Sequence, residues 1–243
     1  MIKPDYIIIG AMKCGTSTLA AQLGAQNGVF MTSPKEPNYF SDDAVFGKGD
    51  AWYSGLFADA PDGDLKGEAS THYTKLPTYP ETIQRLQASG ATPRLIYLIR
   101  DPVQRLVSHY IHEWTQGVIT GSLEEAIDTH PELRAYSRYG EQIRPWVDAF
   151  GAENILILNM AGLKRDPQGL LDRVGGFLGR EGLVWKDDLS QMNVSAERIR
   201  RFPLHGLVFD NRVAEWLRRT LIPQALRDRI KASRQMDVRP ELS

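Results

Sequence analysis

The chain reads as an α/β protein: a single-domain, P-loop-like parallel β-sheet flanked by helices, with a helical C-terminal region. Three observations predict this. Short apolar runs rich in β-branched residues alternate along the 243 residues with stretches of helical spacing. The first run, Tyr6 to Ile9, ends at Gly10 and passes directly into a Gly- and hydroxyl-rich turn that opens a helix. Two later helix starts, Arg100-Asp101-Pro102 and Arg165-Asp166-Pro167, each place Asp at the N-cap and Pro at the first helical position.

Tyr6-Ile7-Ile8-Ile9 is apolar on both faces, as a central parallel strand requires. A helix is expected from about Ser17 to Gln26. Leu65 to Ala69 makes a second, weaker strand, Leu95 to Ile99 the clearest one, and Ile155 to Leu158 the fourth. After Pro102, the residues Val103, Leu106, Val107, Tyr110, Ile111 and Trp114 fall on one helical stripe. Ser122 with Glu125 forms a capping box, and Tyr136 to Phe150 and Gly169 to Leu178 read as further helices. Ser41 to Gly63 and Thr115 to Ser122 read as loop-rich insertions. Trp52, Tyr53 and Phe57 in the first supply either core packing or an aromatic platform, whereas Trp114 and Trp146 read as core. Val208 to about Ala232 is helical, with Pro223 a kink or break; its arginines make either a solvated face or a basic rim for an anion. No linker cuts the chain, so one domain over 1–243 is expected, with its core at about 5–200 and a helical segment at about 207–234.

Composition narrows the function classes. Apolar residues make up 42% and charged residues 24%, enough for a sizeable core. Lys plus Arg is 29 against 30 for Asp plus Glu, which excludes a protein that coats nucleic acid by bulk positive charge but leaves room for a local anion site. Cys14 is the only cysteine, so no intramolecular disulfide and no Cys-rich metal site can form. None of the five histidines has the spacing of a zinc-protease helix. The longest apolar stretch, Tyr6 to Met12, is interrupted by Gly10 and falls far below the roughly 18 residues of a membrane span. The start of the sequence lacks a secretory cleavage pattern, so a cytoplasmic protein without a transmembrane segment is expected.

The chemistry-bearing stretch is Gly10-Ala11-Met12-Lys13-Cys14-Gly15-Thr16-Ser17-Thr18. Glycines at both ends permit close backbone approach to a phosphate, the three hydroxyls add donors, and Lys13 adds a mobile positive charge. This is not a Walker A loop, in which the Lys directly follows the second Gly; here Cys14 and Gly15 come after Lys13. Asp101 is used as a helix cap and leaves no clear magnesium-holding carboxylate. A nucleotide bound without a divalent cation is therefore favoured over ATP with magnesium. Taken alone, the segment also fits an ordinary turn after a strand.

Arg100 follows the third predicted strand, where ligands of parallel sheets bind. Ser108 lies seven residues beyond Asp101, about two helical turns, on the face where the helix begins. Either Arg100 and Ser108 hold a second phosphate, or Arg100 pairs with a surface carboxylate and Ser108 is incidental. The two stretches together suggest a ligand with two separated phosphates.

With these residues, the chain resembles the sulfotransferases that use 3′-phosphoadenosine 5′-phosphosulfate (PAPS). K-C-G-T-S-T-L resembles their 5′-phosphosulfate loop, and I-R-D-P-V-Q-R-L-V-S-H-Y their 3′-phosphate strand–helix element. S-P-K-E-P-N-Y-F, Ser33 to Phe40, is similar to the lysine–glutamate–proline segment of the carbohydrate-type, heparan-sulfate-like branch; G-E-A-S-T-H-Y, the stretch from Ser137 to Trp146, and M-N-V-S at Met192 also match in order. The resemblance implies that Lys13, Cys14, Gly15, Thr16, Ser17 and Thr18 hold the 5′-phosphosulfate. It implies that Arg100 and Ser108 hold the 3′-phosphate, that Tyr139 helps hold the nucleotide, and that Glu36 is the base toward an acceptor hydroxyl. It also implies PAPS as donor, 3′-phosphoadenosine 5′-phosphate (PAP) as product, no required metal, and a glycan or small-molecule acceptor. Two features depart from that branch: Ala69 stands where a catalytic lysine is common, and a single cysteine excludes a disulfide-linked covering loop.

Sulfuryl transfer asks for positioning and charge stabilisation, with Lys13 suited to the leaving oxygen. Two prolines stiffen Pro34-Lys35-Glu36-Pro37, and Lys35 either keeps Glu36 ionised or binds an anionic acceptor. His72, after the second predicted strand, is the rival base. Cys14 at a helix start is in a setting that can lower a thiol pKa, but it is read as a small spacer. Two other functions fit parts of the pattern: a magnesium-dependent P-loop kinase, which EDTA would inhibit, and a non-catalytic nucleotide-binding protein. Neither the acceptor nor the oligomeric state is legible.

Overall fold

The computed structural model describes residues 2–190. Five parallel strands, β1 (Tyr6–Gly10), β2 (Val29–Met31), β3 (Leu65–Ala69), β4 (Arg94–Ile99) and β5 (Ile155–Asn159), form one sheet in the order β2-β3-β1-β4-β5. β1 is central and buried along its whole length, as its unbroken apolar sequence requires. Helix α1 (Thr16–Gly24) follows it. Then come α2 (Asp43–Phe46) and α3 (Gly49–Gly55) before β3, and a 3₁₀ turn (Thr71–Thr74) and α4 (Thr82–Ala88) before β4. Helices α5 (Pro102–Gln116), α6 (Leu123–Thr129), α7 (Glu132–Ala135) and α8 (Tyr139–Phe150) precede β5; α9 (Gly162–Arg165), α10 (Pro167–Leu178) and α11 (Asp187–Ser190) follow it.

The described residues group into two compact units. One is Met1–Leu106 with Pro131–Ser190 and contains the entire sheet; the other has Val107–His130 as its described part. In the first unit the core is the sheet with Leu19, Leu23, Leu86, Trp146, Leu170, Leu171 and Val174 from the helices packed on it. In the second, Tyr110 is buried and donates from its hydroxyl to the Gly121 carbonyl, and the capping box of Ser122 and Glu125 starts α6 as expected.

The four predicted strands are all present. β2, only three residues long, is an addition that the sequence does not announce, because Val-Phe-Met is too short to show a period. Asp101 and Asp166 both cap helices, accepting from the N–H groups of Gln104 and Gly169 at 2.8 and 2.9 Å. The apolar stripe after Pro102 needs correction. Val103 is 68% exposed, and the buried place in that turn belongs to Arg105, which is tolerated there because its guanidinium donates to the Leu133 carbonyl and Ser137 Oγ. The helix expected from Tyr136 begins at Tyr139, after the separate short helix α7. The insertion from Ser41 to Gly63 is not all loop: it carries α2 and α3, and buried Tyr53 and Phe57 settle its aromatic residues as packing. The expected C-terminal helix and the Met192 segment lie outside the described residues.

Gly67 shows why β3 has so little side-chain mass. It pairs with Tyr6 across the sheet, and a Cβ there would stand 2.0 Å from the Tyr6 ring. Gly67→Ala should therefore destabilise the protein by about 1–3 kcal/mol through overpacking, read as a lower urea midpoint. A midpoint equal to that of the wild type would refute this packing.

Candidate functional site

Three loops leave the C-terminal ends of β1, β3 and β4, and the segment after β2 joins them, all within the sheet-bearing unit. The order of the sheet explains the meeting. β1 lies between β3 and β4, so chain connections run to opposite sides of it, the kind of switch point beyond which parallel sheets bind their ligands.

The turn after β1 is fixed at several points. Ala11 N–H donates to the Leu98 carbonyl at 2.8 Å, and Cys14 N–H to the Ala11 carbonyl at 3.2 Å. Lys13 takes a left-handed conformation (φ 65°), as does Gly15 (φ 88°) at the N-cap of α1. Gly15 is required twice over: its φ disfavours a side chain, and a Cβ would meet Leu163 at 2.8 Å. No side chain caps the first-turn N–H groups of α1. Thr16 is buried, Ser17 exposed and Thr18 half-buried.

Arg100, directly after β4, reaches this turn. Its Nη1 donates to the Lys13 carbonyl at 3.2 Å, and its Nη2 to Gln104 Oε1 at 3.2 Å. The Tyr139 hydroxyl accepts from Arg100 N–H at 3.4 Å and lies 3.5 Å from Cys14 Sγ, so one phenol ties the two loops together. Cys14 is buried, and that burial pushes its thiol pKa up against the contacts that lower it. A buried thiol with a raised pKa fits the reading of Cys14 as a small spacer and not the acidified setting of a helix start. Tyr139, also raised above its ordinary range by burial, keeps its proton.

Lys13, Cys14, Gly15, Arg100 and Tyr139 are thus assembled in one place. Ser108 lies on α5 in the part assigned to the second unit and is half-buried. The loop's ammonium, guanidinium, uncapped helix amides and hydroxyls are all donors. By the chemistry of this set, the residues fit a phosphate or phosphosulfate group.

A second cluster forms beyond β2 and β3. Glu36 is held in a left-handed conformation (φ 60°) with its N–H donating to the Ala69 carbonyl at 2.9 Å. Lys35 Nζ lies 2.7 Å from Glu36 Oε1, and Thr71 Oγ1 is 3.2 Å from each carboxylate oxygen. Burial alone would raise the Glu36 pKa, but the charge and hydrogen bond of Lys35, the Lys75 charge and Thr71 outweigh it and hold the carboxyl below its ordinary value. The contact with Lys35 favours the ionised form of Glu36. His72 stacks on Tyr79, with ring centroids 4.5 Å apart. Burial, aided by Lys75, pushes its pKa down to about 4, against the pull of Glu36 and Asp42. Among the described residues, the buried Nδ1 of His72 and Oδ1 of Asn38 have no hydrogen-bond partner.

Sequence reasoning missed Thr71, Lys75 and Glu68. Glu68 is fully buried and accepts from the hydroxyls of Tyr53, Ser70 and Tyr73 at 2.8, 2.7 and 2.7 Å. Its signal was a carboxylate inside a strand otherwise free of acids, Leu65–Ala69.

Comparison with known proteins agrees with the fold. Residues 3–203 match the family model described as "Sulfotransferase domain". Mouse heparan sulfate glucosamine 3-O-sulfotransferase 3A1 is 30% identical over 190 residues, covering 74% of this chain and 47% of that protein, so the chain spans about half the length of the curated relatives it matches. A sulfotransferase from Alicyclobacillus acidocaldarius superposes with a TM-score of 0.63 at 26% identity, covering 88% of this chain and 99% of that one. Mouse sulfotransferase SULT7A1, solved in complex with PAP, gives 0.50 at 18% identity, covering 79% and 63%. No helix among the described residues is long and apolar enough to cross a membrane. The sheet order, the loop after its central strand and the extent of the family match lead to one assignment: this chain belongs to the sulfotransferase family.

Proposed function

We propose that the protein transfers the sulfuryl group of PAPS to an acceptor hydroxyl, acting as a single domain over 1–243. The observation that carries this reading is the contact of Arg100 with the Lys13 carbonyl, which joins two anion-binding motifs from remote parts of the chain at one sheet edge. PAPS, when bound, supplies the sulfuryl group and a phosphate leaving group.

Lys13 and the first-turn amides of α1 grip the 5′ end and offset the charge that builds on the leaving oxygen. Arg100 takes the 3′-phosphate as a guanidinium fork, the role for which the resemblance also nominates Ser108. Tyr139 keeps the two grips in register through its contacts with Cys14 and Arg100 N–H. As the acceptor oxygen bonds to sulfur and the bond from sulfur to the 5′-phosphate oxygen breaks, the acceptor proton passes to Glu36. The neighbouring Lys35 keeps Glu36 ionised before transfer. His72, stacked on Tyr79 and with its pKa pushed down to about 4, is the rival base. The acceptor is a glycan or small molecule with a free hydroxyl, and the similarity to a heparan sulfate 3-O-sulfotransferase makes heparan sulfate the first probe. A cytoplasmic location completes the proposal, and cell fractionation tests it.

Glu36→Gln should lower turnover by about 10²- to 10⁴-fold while PAP binding by calorimetry is retained; near-normal turnover with an inactive His72→Ala would reassign the base to His72. Arg100→Ala should weaken PAP more than adenosine 5′-phosphosulfate, which lacks the 3′-phosphate, and an equal loss for both would remove Arg100 from that subsite. EDTA should leave transfer unchanged, whereas inhibition reversed by magnesium would favour the kinase reading.

In proton NMR, His72 should titrate near 4. The unfolded chain binds this proton at about 6.5, so the contribution of His72 to stability is complete above that pH and is lost as pH falls toward 4. Titration at the ordinary value would show that the imidazole is hydrated.

A further inference from the structure

We propose that Glu68 is a positioning residue for Glu36: its buried carboxylate orients the hydroxyls of Ser70 and Tyr73 so that both accept from the backbone of the segment carrying Glu36. The proposal rests on the reading of Glu36 as the base.

The geometry is a two-branched relay. Ser70 Oγ donates to Glu68 Oε2 at 2.7 Å and accepts from Asn38 N–H at 3.0 Å. Tyr73 OH donates to Glu68 Oε1 at 2.7 Å and accepts from Phe40 N–H at 3.4 Å. A hydroxyl has one hydrogen, and an ionised carboxylate only accepts. Once both hydroxyls have donated to Glu68, only their lone pairs face the chain, which matches the two amides that reach them. Tyr53 supplies a third hydroxyl to Oε1 at 2.8 Å, so the buried carboxylate accepts three hydrogen bonds.

The held segment needs such support. Glu36 and Asn38 are both non-glycine residues in the left-handed region, with φ of 60° and 54°. Such conformations persist only where their surroundings fix them. On the near side the segment hangs from β3 by Glu36 N–H to the Ala69 carbonyl at 2.9 Å. On the far side the relay holds Asn38 and Phe40. Glu36 is thereby delivered to Lys35 and Thr71 by a carboxylate that does not touch it.

The test is a double-mutant cycle on the full chain. Turnover is read as PAP released from PAPS with heparan sulfate present, which reports transfer to glycan and to water alike. Glu68→Gln should lower kcat by about 10- to 100-fold while the Kd for PAP stays within about twofold, as a misplaced catalytic group predicts. Combined with Glu36→Gln, it should cause no further loss, since both act through one group. Amide hydrogen exchange at Asn38 and Phe40 should quicken. Ser70→Ala and Tyr73→Phe each remove one branch and leave Glu68 in place; they should show smaller losses of the same pattern and carry the test if Glu68→Gln does not fold. Unchanged kcat in all three variants, an equal loss of PAP affinity, or a loss that multiplies with that of Glu36→Gln overturns the relay. Full turnover in Glu36→Gln alone overturns the base assignment instead, and the relay's purpose with it.

Discussion

The pairing of β1 with β4 is the constraint on which the rest of the site depends. Two parallel neighbours deliver their following loops to the same edge, so Lys13 and Arg100, 87 positions apart in the chain, meet across a hydrogen bond of 3.2 Å. The contact runs from a guanidinium to a backbone carbonyl; with the Nη2 bond to Gln104 it engages two donors of a five-donor group and leaves three for an anion. Ala11 N–H on the Leu98 carbonyl and the Tyr139 phenol between Cys14 and Arg100 N–H make the arrangement over-determined. A loop so held presents its amides without reorganisation when a charged ligand arrives, and preorganisation of this kind is the largest electrostatic contribution available to an enzyme.

The opposite side of β1 handles a different charge. β3 and the segment after β2 carry the carboxylates: Glu68 buried among three hydroxyls, and Glu36 half-buried beside Lys35 and Thr71. Burial raises the pKa of the first, while cations near the second keep it low. The two acids therefore suit different work, one as a fixed acceptor inside the fold and one as an ionised group beyond the ends of the strands. Cations on the β4 side and a carboxylate on the β2 side give the proposed transfer its direction, with leaving charge and released proton going to separate places.

Much of this fold was legible in local pattern. Four strands, the capped starts at Asp101 and Asp166, and the capping box at Ser122 follow from residue types at fixed spacing, and such spacing acts through neighbours only a turn away. β2 was not legible because three residues carry no period, and it becomes a strand only by pairing with β3. Arg105 and not Val103 is buried in the first turn of α5 because its guanidinium finds two distant acceptors, Leu133 and Ser137, which no helical spacing can reveal.

By itself the sequence determined the class of fold, the two donor-rich stretches around Lys13 and Arg100, and Glu36 as a carboxylate held in a proline-stiffened turn. Those are properties of short segments, set by backbone preference and side-chain chemistry. Only the tertiary structure decided that Cys14 faces inward and that Lys35 lies against the Glu36 carboxylate. It also decided that His72 is pushed toward neutrality and that Glu68, unnoticed in its strand, governs the hydroxyls of Ser70 and Tyr73. The physical reason is common to all four: desolvation and hydrogen-bond direction depend on atoms brought together from far along the chain, and a linear pattern holds no record of that proximity.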